Sequence, residues 1–275
     1  MSGVEQPPPP PPDLPPPLGS NPPPPPGSSA FYFPPPPTPL PPPPSFGDQQ
    51  ARQRSITGIT LGAVGFGLLW IPYVSWLGGL FLIIGIIFLY LGRWGFDERH
   101  HNLVVVGGAL YLVVFLALIV VTAGLAVALF SAVTSTSTTS QIGTSLTSAL
   151  DTFFVAAAIL GLLSALAYVL LVYALADSTT QKILWAAFLA QAAVGTVVLF
   201  FVVPQVNSAV SQATSGSSLD LGPISALQTT DLLFGLLNIV PCLLFLWAYL
   251  RVRESAMHWD RVRPGSIPPR PFSIP

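Results

Sequence analysis

Apolar residues run without an internal charge over about 56 to 71, 75 to 92, 103 to 130, 152 to 176, 183 to 203 and 231 to 250, and polar residues fill the gaps. Each run is near the roughly 20 residues that cross a hydrocarbon layer of about 30 Å, and the third is long enough to tilt. The pattern predicts an all-α, polytopic membrane protein with about six transmembrane helices. Residues 56 to 91 are nearly continuous, yet a single helix of that length would be about 54 Å long, so the run has to fold back. The stretch IPYVSW, 71 to 76, supplies the turn. Pro72 removes a donor and restrains Ile71, while Tyr73 and Trp76 suit a membrane interface. A re-entrant hairpin, with both ends on one side, satisfies the same pattern.

Composition agrees with the pattern. Only 8% of residues are charged and the mean hydropathy is +0.67, against about a quarter charged in soluble domains. Net charge is -1 and the pI is about 6.2, which leaves no basic surface for nucleic acid. The single cysteine, Cys242, follows Pro241 inside an apolar run, so no intrachain disulfide or cysteine-based metal site is available.

Residues 7 to 44 hold 23 of the 32 prolines. Such a segment cannot bury a core, and residues 1–54 are expected to form a disordered proline-rich tail of polyproline II character. The start MSGVEQPPPP lacks the basic and apolar regions of a secretory signal, so the tail is expected to stay cytosolic. The six-helix transmembrane domain is then 55–251, and 252–275 is a basic cytosolic C-terminal tail.

Charge sets the orientation. Arg52 and Arg54 precede the first run, Arg93 and Arg99 separate the second and third, Lys182 separates the fourth and fifth, and five arginines follow the sixth. With six spans all of these segments fall on one face, which the positive-inside rule makes cytoplasmic, and both termini with it. GRWGFDERHH, 92 to 101, becomes a solvated cytosolic loop with Trp94 at the headgroups. The opposite segments, SAVTSTSTTSQIGTSLTSALD and PQVNSAVSQATSGSSLDLGPISALQTTD, are expected to be external Ser/Thr-rich loops, with Asp151 and Asp231 as N-caps of the spans that follow. No Asn-x-Ser/Thr acceptor occurs in them. At the C-terminus Val252, Ala256, Trp259 and Val262 recur at helical spacing among arginines, which predicts an interfacial helix on an anionic leaflet.

The candidate chemistry is sparse. His100 and His101 are adjacent, so they do not face one another on a helix, and no cysteine is near. Asp97 and Glu98 beside Arg93 and Arg99 make a charge-balanced loop. The pair Asp151 and Asp231 invites comparison with intramembrane aspartyl proteases, but both stand at span ends outside the Tyr-Asp and Gly-x-Gly-Asp settings. No nucleophile turn, zinc pair or phosphate loop appears. The chain is therefore expected to be no enzyme and to need no cofactor or metal. The best polar pair inside the spans is Gln191 in the fifth and Asn238 in the sixth, one turn before Pro241. It reads either as a solute site at a kinked helix or as an interhelical hydrogen bond of about 0.6 kcal/mol. Gly58, Gly62 and Gly65, with Gly161 and Ala165, form small-residue stripes that permit close helix contact and do not require a homo-oligomer.

In the tail, Phe33, Pro34, Pro35, Pro36 and Pro37 resemble the FPPPP ligand of EVH1 domains, and Leu40 suits a similar groove. Such matches arise easily in low-complexity sequence, so the arm reads first as a spacer and second as the docking site of a polyproline-recognising protein; the lipid bilayer is the other partner. The stretch ITLGAVGFGLLWIPYVSWLGGLFLIIGIIFLYLGRW, 59 to 94, resembles the opening hairpin of small archaeal multi-pass membrane proteins of unknown function. Those proteins share a Gly-rich span, an Ile-Pro-Tyr-Val turn and a second Gly/Ile/Leu span. The resemblance carries over no functional residue, and the long proline tail departs from their short N-terminus. The sequence is thus expected to encode a structural or interaction protein working through its proline-rich arm. The alternative is a transporter or channel for a small neutral solute.

Overall fold

The computed structural model describes residues 46–71, 73–134, 139–214 and 228–258. The candidate partner residues Phe33, Pro34 to Pro37 and Leu40 lie outside them, as do Trp259 and Val262. Among the described residues there are helices and turns and no strand. In chain order the helices are α1 (Phe46–Leu69), α2 (Ser75–Leu91), α3 (Glu98–Thr134), α4 (Thr139–Tyr173), α5 (Ser178–Val197), a π-turn (Val198–Val202), α6 (Val203–Thr214) and α7 (Gln228–Met257). Four stretches are long and apolar enough to cross a membrane, namely Glu98–Ser131, Gln141–Tyr173, Ser178–Thr214 and Gly235–Met257, and Ser75–Leu91 is a shorter apolar helix.

The 56–91 run does fold back. α1 and α2 are antiparallel, and the turn between them places Tyr73 at φ 65 with its side chain 95% exposed. Glycines let the two helices touch. A Cβ on Gly58 would lie 2.6 Å from the Gly85 carbonyl oxygen, and one on Gly65 2.9 Å from that of Gly78. On its other side α1 runs antiparallel to α7, with Gly62 against the Tyr249 ring and Phe66 stacked on Phe245 at 4.9 Å. The main core gathers Ile59, Phe66, Leu82, Val169, Leu184 and Tyr249 from five helices. Exposed apolar side chains cover the outside of α3, from Val106 to Phe130. A contiguous patch of this kind suits lipid and not water.

Several expectations drawn from polarity are corrected. α1 begins at Phe46, inside the stretch assigned to the tail, and α7 continues to Met257. Val252 and Ala256 are fully buried in the core, so they form the bundle's own packing face and not a membrane-interfacial stripe. The described parts of the two Ser/Thr-rich segments, 131–134, 139–151, 204–214 and 228–231, are helical. α4 starts at Thr139, twelve residues before Asp151, and Asp151 is therefore no N-cap. Asp231 lies a turn inside α7, which starts at Gln228. Between α5 and α6, Pro204 lacks the N–H of a regular turn, and the chain widens just before it: the Val203 N–H bonds the Val198 carbonyl, five residues back. This π-turn keeps the helix continuous, and Ala209, Val210, Ala213 and Thr214 are buried along α6. Thr214 fits against Gly143 of α4, where a side chain would collide.

Candidate functional site

The helix ends that meet at one end of the bundle carry every described Lys and Arg. GRWGFDERHH is packed there, which corrects its reading as a solvated loop. Gly92 and Gly95 lie so close to α1 that a Cβ on either would collide with Ser55 or Arg52. The Arg52 guanidinium sits 5.3 Å from the Phe96 ring and Nε donates to the Gly95 carbonyl at 3.5 Å. Asp97 accepts from the His100 N–H at 2.9 Å and so caps α3. The His100 ring is fully buried, edge-on to Phe96 at 5.1 Å, and neither of its nitrogens has a hydrogen-bond partner. His101 turns the other way and stacks on Trp94 at 3.8 Å. The two histidines thus point apart, and no three His, Cys, Asp or Glu converge among the described residues.

At the next connection Asp177 caps α5, its side chain accepting from the Thr180 N–H at 2.9 Å. The Thr180 hydroxyl and N–H that face this carboxyl hold it below the usual aspartate range, and Arg251 acts in the same direction. Gln181 reaches back to donate to the Ala176 carbonyl at 3.1 Å, closing the end of α4. The sequence reading missed this cap, although its signal, an Asp followed by Ser-Thr-Thr before an apolar run, is present at 177 to 180.

The centre of the bundle holds the site that the sequence reading singled out as its alternative. Gln191 of α5 and Asn238 of α7 border one cavity of about 190 Å³, together with Ser164 and Tyr168 of α4 and Cys242 of α7. Phe66 and Leu69 of α1 complete the apolar part of its wall, and no charged side chain reaches it. Gly161, expected to mediate helix contact, has nothing within 4 Å of a Cβ and opens onto this space. Pro241 lies inside α7, so the carbonyl one turn earlier, on the turn that carries Asn238, loses its helical donor. Towards the basic end the cavity is closed by a ring cluster: Phe66 meets Phe245 at 4.9 Å and both Tyr168 and Tyr249 at 5.1 Å. The Tyr249 hydroxyl donates to the Tyr168 carbonyl at 3.0 Å and locks that floor.

At the opposite end Asn207 of α6 donates to Asp151 of α4 at 2.6 Å. Asp151 and Asp231 therefore do not act as a matched pair of caps. The aromatic floor and the small cavity above it make a place where a solute of a few heavy atoms can exchange water for amide, hydroxyl and thiol contacts. No protein-family model, curated protein or solved structure matches the chain.

Proposed function

We propose that this is an integral membrane protein that binds a small neutral polar solute inside its bundle and passes it across the bilayer, as a transporter or channel. The observation that carries this reading is the meeting of Gln191 and Asn238, from different helices, in one uncharged cavity. A volume of about 190 Å³ equals about six waters at their liquid share, or one solute of a few heavy atoms. Amide side chains both donate and accept hydrogen bonds, which suits an uncharged polar molecule.

In this reading six helices are embedded and four of them cross fully. Leu69, near the tip of the α1–α2 hairpin, borders the same cavity as Asn238, whereas α7 continues ten residues further to Gln228, about 15 Å. The hairpin therefore enters from the basic end and turns back short of the other surface, at Tyr73. Both of its ends stay on one side, and the charge distribution keeps the basic end and both termini cytoplasmic. The proline-rich arm, through Phe33, the following prolines and Leu40, adds a cytosolic partner site for a polyproline-recognising protein; the FPPPP motif supports it.

The solute reading is tested in proteoliposomes by light scattering with water, urea and glycerol. Flux above that of protein-free vesicles, lost in a Gln191→Leu, Asn238→Leu double variant that still folds, is the expected result. Flux that survives the double substitution, or is absent for every such solute in the intact protein, overturns it.

A further inference from the structure

A second cavity, of about 570 Å³, lies at the basic end between the start of α3 and the adjoining parts of α4 and α5, with Glu98, Arg99, Leu103, Leu170, Tyr173 and Trp185 in its wall. We propose that it seats the headgroup of a phospholipid that carries both a phosphate and a primary ammonium. The inference rests on the membrane reading but not on the solute cavity. Glu98 and Arg99 stand side by side at the mouth, both exposed, and neither forms an ion pair among the described residues. Arg99 lies 6.0 Å from the Tyr173 ring, and that position leaves its donors available to a phosphate.

The wall changes character within one turn. Leu103 and Leu170 lie next to the charged pair in the same groove, and Trp185 is half exposed at its edge. Beyond the groove the apolar surface continues over Val106, 55% exposed, and Leu189, 63% exposed. Charge above and continuous apolar surface below match a lipid, whose phosphate would meet Arg99 and whose chains would run down α3 and α5. Glu98 then selects among headgroups. It repels a lipid of net negative charge and accepts hydrogen bonds from a primary ammonium, which a quaternary one cannot donate. Free phosphate would use Arg99 alone and leave the apolar wall wet.

The test uses the full-length protein, delipidated in detergent, with bound lipid counted by native mass spectrometry. Phosphatidylethanolamine, phosphatidylcholine, phosphatidylglycerol and inorganic phosphate are the four probes. Retention of the ethanolamine lipid about tenfold above the other two lipids, untouched by excess phosphate, is expected. Glu98→Gln should erase the preference over phosphatidylglycerol while leaving the lipid-free melting temperature unchanged, and Arg99→Gln should lower retention of all three. Equal or better retention of phosphatidylglycerol, displacement by phosphate, or an unchanged preference in Glu98→Gln overturns the assignment. Because that variant does not touch the solute cavity, its flux separates failure here from failure of the transport reading.

Discussion

Asn207 donates a hydrogen bond to the Asp151 carboxylate at 2.6 Å, joining α6 to α4 where the sequence places two separate loops. A bond to a charged acceptor in a partly buried setting contributes about 1.5–3 kcal/mol. Replacing Asn207 by Ala should therefore speed amide hydrogen exchange over Val203–Thr214 more than over Ser178–Val197. A double-mutant cycle with Asp151→Ala should return a coupling in the same range. Unchanged protection of α6 would show that its apolar face alone holds it to α4.

The glycine contacts separate into tight and open positions. A methyl group at Gly58 would lie 2.6 Å from a backbone oxygen, which cannot swing away, while at Gly79 it meets nothing within 4 Å. Gly58→Ala should cost about 1–3 kcal/mol through forced separation of α1 and α2. Gly79→Ala should be neutral or add up to about 1 kcal/mol by helix propensity. Thermal unfolding in detergent reads both, and equal melting temperatures would refute the close packing.

Asp177 should make stability depend on pH in one direction. Its folded carboxyl is held below the ordinary range, so the unfolded chain takes up a proton first as pH falls. The contribution is full above the unfolded value of about 4 and is lost as pH drops through the lower folded value. Asp177→Ala should cost about 0.5–2 kcal/mol at neutral pH, and the gap between the variant and the parent should close towards pH 2. A constant gap would mean that the cap works without its charge.

The hairpin and the orientation are tested together with cysteines placed in a Cys242→Ala background. Gln212→Cys should react with an impermeant thiol reagent on intact cells, Ser255→Cys should not, and Tyr73→Cys, at a tip that stops short of the far surface, should not. Reaction of Tyr73→Cys from outside would make α1 and α2 full crossings; reaction of Ser255→Cys would reverse the protein in the membrane.

Much of the fold was legible because apolar runs and their breaks are local. Ile71 to Trp76 announced the α1–α2 turn, and the Gly58, Gly62 and Gly65 spacing announced its close packing. The Gln191 and Asn238 pair could be found because amides are conspicuous in apolar runs, although only the fold shows that they face one space. Other features escaped because polarity was read as solvation. Ser and Thr in 139 to 151 belong to a helix packed on its neighbours, and Val252 with Ala256 faces protein. His100 was misread for a further reason: the Phe96 ring it meets is covered by Arg52 of α1, and no window around residue 100 contains that helix.

The π-turn at Val198–Val202 lets α5 and α6 form one helix of 37 residues from Ser178 to Thr214, about 55 Å against a hydrocarbon layer of about 30 Å. α3 has the same length, and α4 has 35 residues. In the orientation proposed above, length not taken up by tilt would stand as a stiff helical stalk beyond the far surface. A molecule arriving from that side meets a surface already ordered during folding, so docking there loses little chain entropy. In that orientation it would also be held at a fixed height above the lipid.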